Sequence, residues 1–195
     1  MGTHAPLVLA SSSERRLQLL LAIGRKPSSI VASNIDETPH EGELPHNLAT
    51  RLSAAKATTV ACKHGKSFIL AADTVVACGR RILPKANTKE EARMCLKLLS
   101  GRRHRVWGGV SVITPSGKLK SILVMTKVHF KRLSKDEIAS YLLSCEWKGK
   151  AGGYAIQGRA SIFIKFLAGS YSNVVGLGLY ETDKLLSGMG CLALN

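Results

Sequence analysis

The hydrophobic and polar positions of this chain change period several times, and each change marks an element. Pro6–Ala10 is a short apolar run, followed by Ser11-Ser-Ser-Glu-Arg-Arg16 and then Leu17, Leu20 and Leu21 at helical spacing up to Gly24. That order predicts strand, turn and helix, with the serines as natural N-caps. A second helix from about Pro45 to Lys63 puts Leu48, Leu52, Ala55 and Thr59 on one face and Arg51 and Lys56 on the opposite one, and Gly65 closes it. Ser67–Ala72 is continuously apolar and ends in Asp73-Thr74; Val75–Cys78, Gly79 and Arg80–Leu83 follow, as for a buried strand that turns into a hairpin.

Thr88-Lys-Glu-Glu91 and Ser134-Lys-Asp-Glu137 both fit a capping box, opening helices over Ala92–Leu99 and up to Ser144. Between them, Arg105–Ile113 and Leu119–Phe130 alternate about Pro115-Ser-Gly117, which predicts a long antiparallel hairpin. A polar, glycine-rich stretch from Glu146 to Gly158 comes next. It is followed by a strand Ile162–Leu167, a loop Gly169–Asn173 and a terminal helix near Leu179–Leu186. Helices alternate with strands that pair partly antiparallel, so a mixed α/β architecture is expected.

With 195 residues, 45% of them hydrophobic and 21% charged, the chain can bury a sizeable core, which excludes a disordered tail. Lys and Arg number 28 against 13 Asp and Glu, a formal charge of +15 that favours a polyanionic partner without choosing among nucleotide, nucleic acid and membrane surface. The 5 cysteines never fall in a C-x-x-C spacing, so no zinc knuckle or disulfide framework is drawn, and their odd number suits a reducing cytosol. The first apolar run lacks a preceding Lys or Arg and is too brief for a signal peptide; no stretch approaches the roughly 18 residues of a membrane span. Pro6 is incompatible with a myristoylation signal at Met1-Gly2. A soluble, cytoplasmic protein without a membrane partner is expected.

Candidate chemistry gathers in three places. A strand that ends in serines and enters a helix offers free backbone N–H groups, and Arg15 and Arg16 add two guanidinium forks, so Ser11–Arg16 is an anion seat or an ordinary N-capped surface helix; Glu14 opposes an anion there. Asp73 leaves an apolar strand at what reads as the sheet's edge, a position for a reacting group or for an Asx turn. Lys85, past the hairpin, could return toward it or be a surface lysine. Gly149-Lys-Ala-Gly-Gly-Tyr154 combines close-approach glycines with Lys150, and Gln157 offers an amide that could read a base edge; without the P-loop pattern, a flexible loop fits equally well. The 6 histidines are dispersed, which disfavours a transition-metal cage. Glu37 and Asp73 could still hold a hard cation together with substrate phosphates. No G-x-S-x-G elbow is present.

Leu9-Ala-Ser-Ser-Ser-Glu-Arg-Arg16, Ile35-Asp-Glu37 with Gly42-Glu-Leu-Pro45, Arg51-Leu-x-x-x-Lys56-Ala57, Ala72-Asp-Thr-Val-Val76, Lys85, Leu99-Ser-Gly-x-x-His104, Lys150-Ala-Gly-Gly-Tyr-x-Ile-Gln-Gly158 and Gly169-Ser-Tyr-x-Asn-Val-Val-Gly-Leu177 occur in this order. Together they resemble, over nearly the whole chain, the Maf family of nucleoside triphosphate pyrophosphatases, named for a link to septum formation. The resemblance implies one α/β domain over residues 1–195, its two lobes built around a long twisted mixed β-sheet with flanking helices and a nucleotide cleft between them, usually as a homodimer. It implies hydrolysis between the α and β phosphates to a nucleoside monophosphate and pyrophosphate, with Mg2+ or Mn2+ as cofactor. Asp73 matches the proton acceptor, Glu37 and Lys85 complete the catalytic set, and Glu37 with Asp73 would hold the metal. Ser11, Arg15, Arg16, Lys56, Thr74, Lys150 and Gln157 match substrate contacts, and the Ile-Gln-Gly form looks like the branch that prefers dTTP and UTP.

Departures from that pattern are Glu14 where proline is usual, Pro84 and Ala86 around Lys85, Gly149 for an aspartate, Gly108 for a threonine and Gly178 for a proline. The basic residues and Asp73 are retained, so these changes are expected to tune rate and loop stiffness. The alternatives are a pyrophosphatase for modified purine triphosphates and a nucleic-acid-binding module without activity. Against the latter, aromatics make up only 5% of the chain and form no RNP-like run, so no specific nucleic-acid partner is expected.

Overall fold

Residues 5–192 are described by the computed structural model; Met1-Gly2, weighed above, lies outside the described residues. The apolar amino-terminal run forms β1 (Leu7–Leu9), every residue of it buried, and pairs in parallel with β2 (Ser29–Ile30) on one side and β3 (Phe68–Cys78) on the other. From β3 the sheet continues antiparallel through β6 (Arg103–Ile113), β7 (Leu119–Phe130) and β9 (Ile164–Ala168), with β4 (Arg81–Leu83) folded back on β3, making seven strands in all. A separate two-stranded ribbon joins β5 (Lys85–Ala86) to β8 (Lys150–Ala151). The expected mixed α/β architecture is therefore observed.

Among the described residues six α-helices flank the sheet: α1 (Glu14–Ala22), α2 (Pro45–Ala61), α3 (Lys89–Leu99), α4 (Lys135–Leu143), α5 (Tyr171–Val175) and α6 (Leu179–Gly188). Both predicted capping boxes form, Thr88 with Glu91 and Ser134 with Glu137. Leu9, Leu20, Leu70, Val112 and Leu186 fill one core beside α1 and α6, and Phe130, Tyr141, Trp147, Tyr154 and Phe163 fill another beside α3 and α4. The other side of the sheet is covered in part by α2, through Leu48, Leu52, Ala57 and Val60.

Several sequence expectations are corrected. The strand does not end at Asp73-Thr74: β3 runs unbroken to Cys78, with Asp73 opposite Gly109 and Thr74 opposite Gly108. Asp73 is thus in mid-strand, not at a sheet edge or in a turn. The buried face of α2 is rotated from the predicted one and contains Lys56, while Thr59 is exposed. A polar lysine looked like the outer face because its partner, a carboxylate, is supplied by another element. The segment read as a loop at 169–173 includes the start of α5, opened by the Ser170 hydroxyl accepting from Asn173 N–H. The strand expected from Ile162 begins at Ile164, after a 3-10 turn over Arg159–Phe163.

The glycines of β6 set how closely the helices approach. A Cβ on Gly109 would lie 2.1 Å from the Ala49 carbonyl oxygen of α2, and one on Gly108 would lie 1.9 Å from the Asn173 Oδ1 of α5 on the opposite face. Only residues without a side chain allow both helices to sit this low, directly across from Asp73 and Thr74. We predict that Gly109→Ala pushes α2 outward and costs about 3 kcal/mol of stability, measured by urea unfolding. An unchanged midpoint would mean that the contact yields freely.

Candidate active site

The loop from β1 into α1, the extended segment Ala32–Glu37, the β5–β8 ribbon and the end of α5 surround a cleft of about 530 Å³. It is lined by Ser11, Arg15, Arg16, Glu37, Lys56, Thr74, Lys85 and Lys150. Of the residues selected from sequence, all but two line this hollow. Asp73 lies beneath it, and Gln157 is exposed on the segment beyond Tyr154 and does not line it. Sequence reasoning did not assign Ala32–Ile35 or Val174–Gly176 to the site, although both line it. The second segment belongs to the quoted Asn-Val-Val-Gly motif, but its role depends on where α5 packs.

At the floor, the Lys56 ammonium lies 2.5 Å from Asp73 Oδ1 and 2.6 Å from Glu37 Oε1. Both Lys56 and Asp73 are almost fully buried, and of the two only Lys56 lines the cleft. Lys85, which the sequence left open between a return toward Asp73 and the surface, is half-exposed and pairs with Glu37 Oε2. Burial works to raise the Glu37 pKa, but hydrogen bonds and charge from Lys56 and Lys85 outweigh it and hold the carboxyl at about 2. Glu37 is therefore ionised throughout the neutral range. Its loop is braced by Arg51, whose Nε and Nη2 donate to Glu43 at 2.7 and 2.8 Å and whose Nη2 also donates to the Thr38 carbonyl at 3.0 Å.

At the upper wall, α1 starts at Ser13, whose hydroxyl makes no capping bond, contrary to the expected N-cap. The Ser11 hydroxyl instead accepts from Ser13 N–H at 3.2 Å and from Arg16 Nη1 at 3.1 Å. Arg16 is further fixed by the Gly176 carbonyl at 3.0 Å and the Thr74 hydroxyl at 3.2 Å. Burial lowers its pKa, against the opposing pull of Asp73 and Glu37. Arg15 makes no hydrogen bond to a side chain or carbonyl among the described residues. Its pKa is lowered by burial and by neighbouring Arg16, and that of Lys150 by burial and then by Arg15, with Glu146 only partly compensating. Arg15 and Lys150 thus line one cleft, each with its charged form disfavoured by burial and by a neighbouring cation, and a bound anion would relieve both.

The Lys150 segment, for which a loop was one reading, is paired into the ribbon. Ala86 pairs with Lys150 across the ribbon, and Gly149 N–H donates to the Ala86 carbonyl at 2.8 Å. Tyr154, which also lines the cleft, is 2.8 Å from His104 Nε2 on β6.

The profile of the Maf-like protein family matches residues 6–189. This chain belongs to the Maf-like protein family. It is 58% identical to a dTTP/UTP pyrophosphatase of Paramagnetospirillum magneticum, over 95% of this chain and 98% of that protein. It is 56% identical to dTTP/UTP pyrophosphatases of Rhodospirillum rubrum, over 96% and 90% of the two chains, and of Mesorhizobium japonicum, over 97% and 94%. Among the described residues of this Maf-like chain no helix is long and apolar enough to cross a membrane.

His104 supplies a pH test of how this wall is held. Burial, reinforced by His129, depresses its pKa from 6.5 to about 4. The unfolded chain therefore takes up a proton that the folded chain refuses, so stability is full above pH 6.5 and is lost as pH falls toward 4. The loss is on the order of 3 kcal/mol. Urea unfolding of wild type and His104→Gln at neutral and at mildly acidic pH should give a smaller pH difference in the variant; equal differences would remove His104 from this role.

Proposed function

We propose that this Maf-like protein hydrolyses nucleoside triphosphates between the α and β phosphates, releasing a nucleoside monophosphate and pyrophosphate, and that it prefers dTTP and UTP. The observation that carries the reading is the cleft itself, lined by Arg15, Arg16, Lys56, Lys85 and Lys150 against the carboxylates of Glu14 and Glu37, in a chain more than half identical to enzymes bearing that name. A triphosphate tail provides the missing negative charge. Each charge-assisted contact contributes on the order of 1.5–3 kcal/mol.

In this mechanism Lys85, Lys150 and Arg15 grip the tail, and the uncapped start of α1 adds its positive end. The phosphates compete with Asp73 and Glu37 for Lys56, and once Lys56 turns to them the Asp73 carboxylate is free to accept a proton from water. The water oxygen bonds to the α-phosphorus, the bond from that phosphorus to the bridging oxygen breaks, and pyrophosphate leaves. Arg15 and Thr74 contribute to base choice; Gln157 joins them only if substrate draws in the segment after Tyr154.

A divalent cation fits the donor set in one way. Among the described residues no group of three or more His, Cys, Asp or Glu could hold a metal by itself. Magnesium, however, needs only one or two protein carboxylates when substrate phosphates supply the rest, and Glu37 and Asp73 are two hard-oxygen donors joined through one lysine. These residues would hold Mg2+ or Mn2+, which when bound neutralises charge on the phosphate oxygens. A homodimer of single-domain, two-lobed subunits working in the cytoplasm, with no nucleic acid or membrane taking part in the catalytic cycle, completes the proposal.

Asp73→Asn should fold, because the amide oxygen can still accept from Lys56, but should lose at least about a hundredfold in turnover. Pyrophosphate release near the wild-type rate would end the assignment of Asp73 as base. A screen of common and modified triphosphates, with and without magnesium, should rank dTTP and UTP above purine forms by at least about tenfold. Preference for inosine or 7-methylguanosine triphosphates would instead favour the purine-directed alternative.

A further inference from the structure

The cleft does not account for most of the positive charge. No Asp or Glu occurs between Glu91 and Asp136 or between Glu146 and Glu181, the two stretches that contain β6, β7 and β9. α2 covers only part of the sheet face on its side, and beyond it the outward positions of these strands are exposed. Pairing puts Arg103, His129 and Phe166 in one row across that face, Arg105, Lys127 and Ala168 in the next, and Trp107 with Met125 in the third. Arg103, Arg105 and Lys127 are exposed and form no ion pair among the described residues, and Phe166 is 56% exposed. Trp107 is half-buried against His46, with ring centroids 5.6 Å apart. Beside the first row lies an open hollow of about 520 Å³ to which Arg102, His129, Arg132 and Lys165 contribute.

This face is separate from the cleft, since none of these residues lines it. A second copy of the chain does not suit it, because a two-fold interface sets a patch against itself and would oppose cation to cation with no carboxylate on any of the three strands. An anionic membrane suits it less well. The apolar groups lie flush in a sheet between the cations instead of projecting along one side of a helix. Rows on a strand repeat about every 7 Å, so Arg105 and Lys127 lie in the row between two aromatic rings set roughly 14 Å apart along the strands, and Arg103 lies level with Phe166. Cations alternating with aromatic faces on an open sheet match a strand whose phosphates are regularly spaced and whose bases are free to stack.

We propose that the open face of β6, β7 and β9 docks single-stranded nucleic acid, with Phe166 and Trp107 as stacking platforms and Arg103, Arg105 and Lys127 as phosphate contacts. The proposal does not depend on the activity assigned to the cleft. It goes beyond the expectation, drawn from the few aromatics and the lack of an RNP-like run, that there is no specific nucleic-acid partner.

The test is fluorescence anisotropy of a labelled oligo(dT) of roughly twelve nucleotides, titrated with the full chain. Three phosphate contacts predict that binding weakens about 20-fold between about 50 and about 200 mM salt. Replacing Arg103, Arg105 and Lys127 together by Ala should weaken low-salt binding at least about tenfold and flatten the salt dependence, with triphosphate turnover unchanged. Arg103→Lys with Arg105→Lys should retain binding. Phe166→Ala should weaken it about tenfold while leaving the salt slope unaltered.

Four outcomes would overturn the proposal. One is no binding at low salt, and another is equal binding by wild type and the triple variant. The third is displacement of the oligonucleotide by dTTP with loss of binding in Arg15→Ala, which would assign it to the cleft. The fourth is attachment to phosphatidylserine vesicles through the same three residues without oligonucleotide binding, which would make the face a membrane contact.

Discussion

One ammonium group holds the floor of the cleft together. Lys56 Nζ is shared between Asp73 and Glu37, two carboxylates from separate parts of the chain, and little water reaches it. A buried ion pair of this kind gains little net stability, because desolvation offsets most of the attraction, yet removing one partner leaves a buried charge that costs about 3–5 kcal/mol. The arrangement is therefore better explained by what it keeps available than by what it stabilises. It keeps an acidic side chain at mid-strand and, beside it, a cation that lines the cleft.

That contact depends on distance, and the distance depends on glycine. Gly109 faces Asp73 across the strand pair and lets α2 settle against the sheet, which carries Lys56 to within hydrogen-bonding reach. One residue away, on the other face, Gly108 admits the Asn173 side chain; Asn173 Nδ2 donates to the Val106 carbonyl at 3.2 Å and to the Thr126 hydroxyl at 3.1 Å. This anchors α5, and the carbonyl that follows it, on Gly176, holds Arg16. Two adjacent glycines thus govern the acid side and the arginine side of one cleft. Gly108 was a departure from the family's usual threonine, and here a larger residue would meet Asn173 directly.

The same sheet presents two different electrostatic surfaces. Over the cleft, positive charge is balanced locally by Glu37 and Asp73, and the residual excess comes from Arg15 and Lys150. On the uncovered half of the α2 face the cations have no internal partners. A net charge of +15 is consistent with both, which is why composition alone could not say where the charge acts.

Much of the fold was legible in the sequence because it is encoded locally. The capping boxes at Thr88 and Ser134, the turn at Pro115-Ser-Gly117 and the alternation of β6 and β7 each depend on neighbours within a few residues. Eight of the ten residues selected through motif and resemblance line the cleft, so much of its lining was legible too. What sequence misjudged were Asp73 and Lys56, a carboxylate that looked like the end of a strand and a lysine that looked like an outer face, and it did not find the Glu37 partner of Lys85. Each reading failed for one reason, that the compensating charge lies 17 to 48 residues away. The chain by itself determined which elements form and which charged groups are present; only the tertiary structure decided which charges meet, because burying an ion is tolerable only where another part of the chain brings its partner.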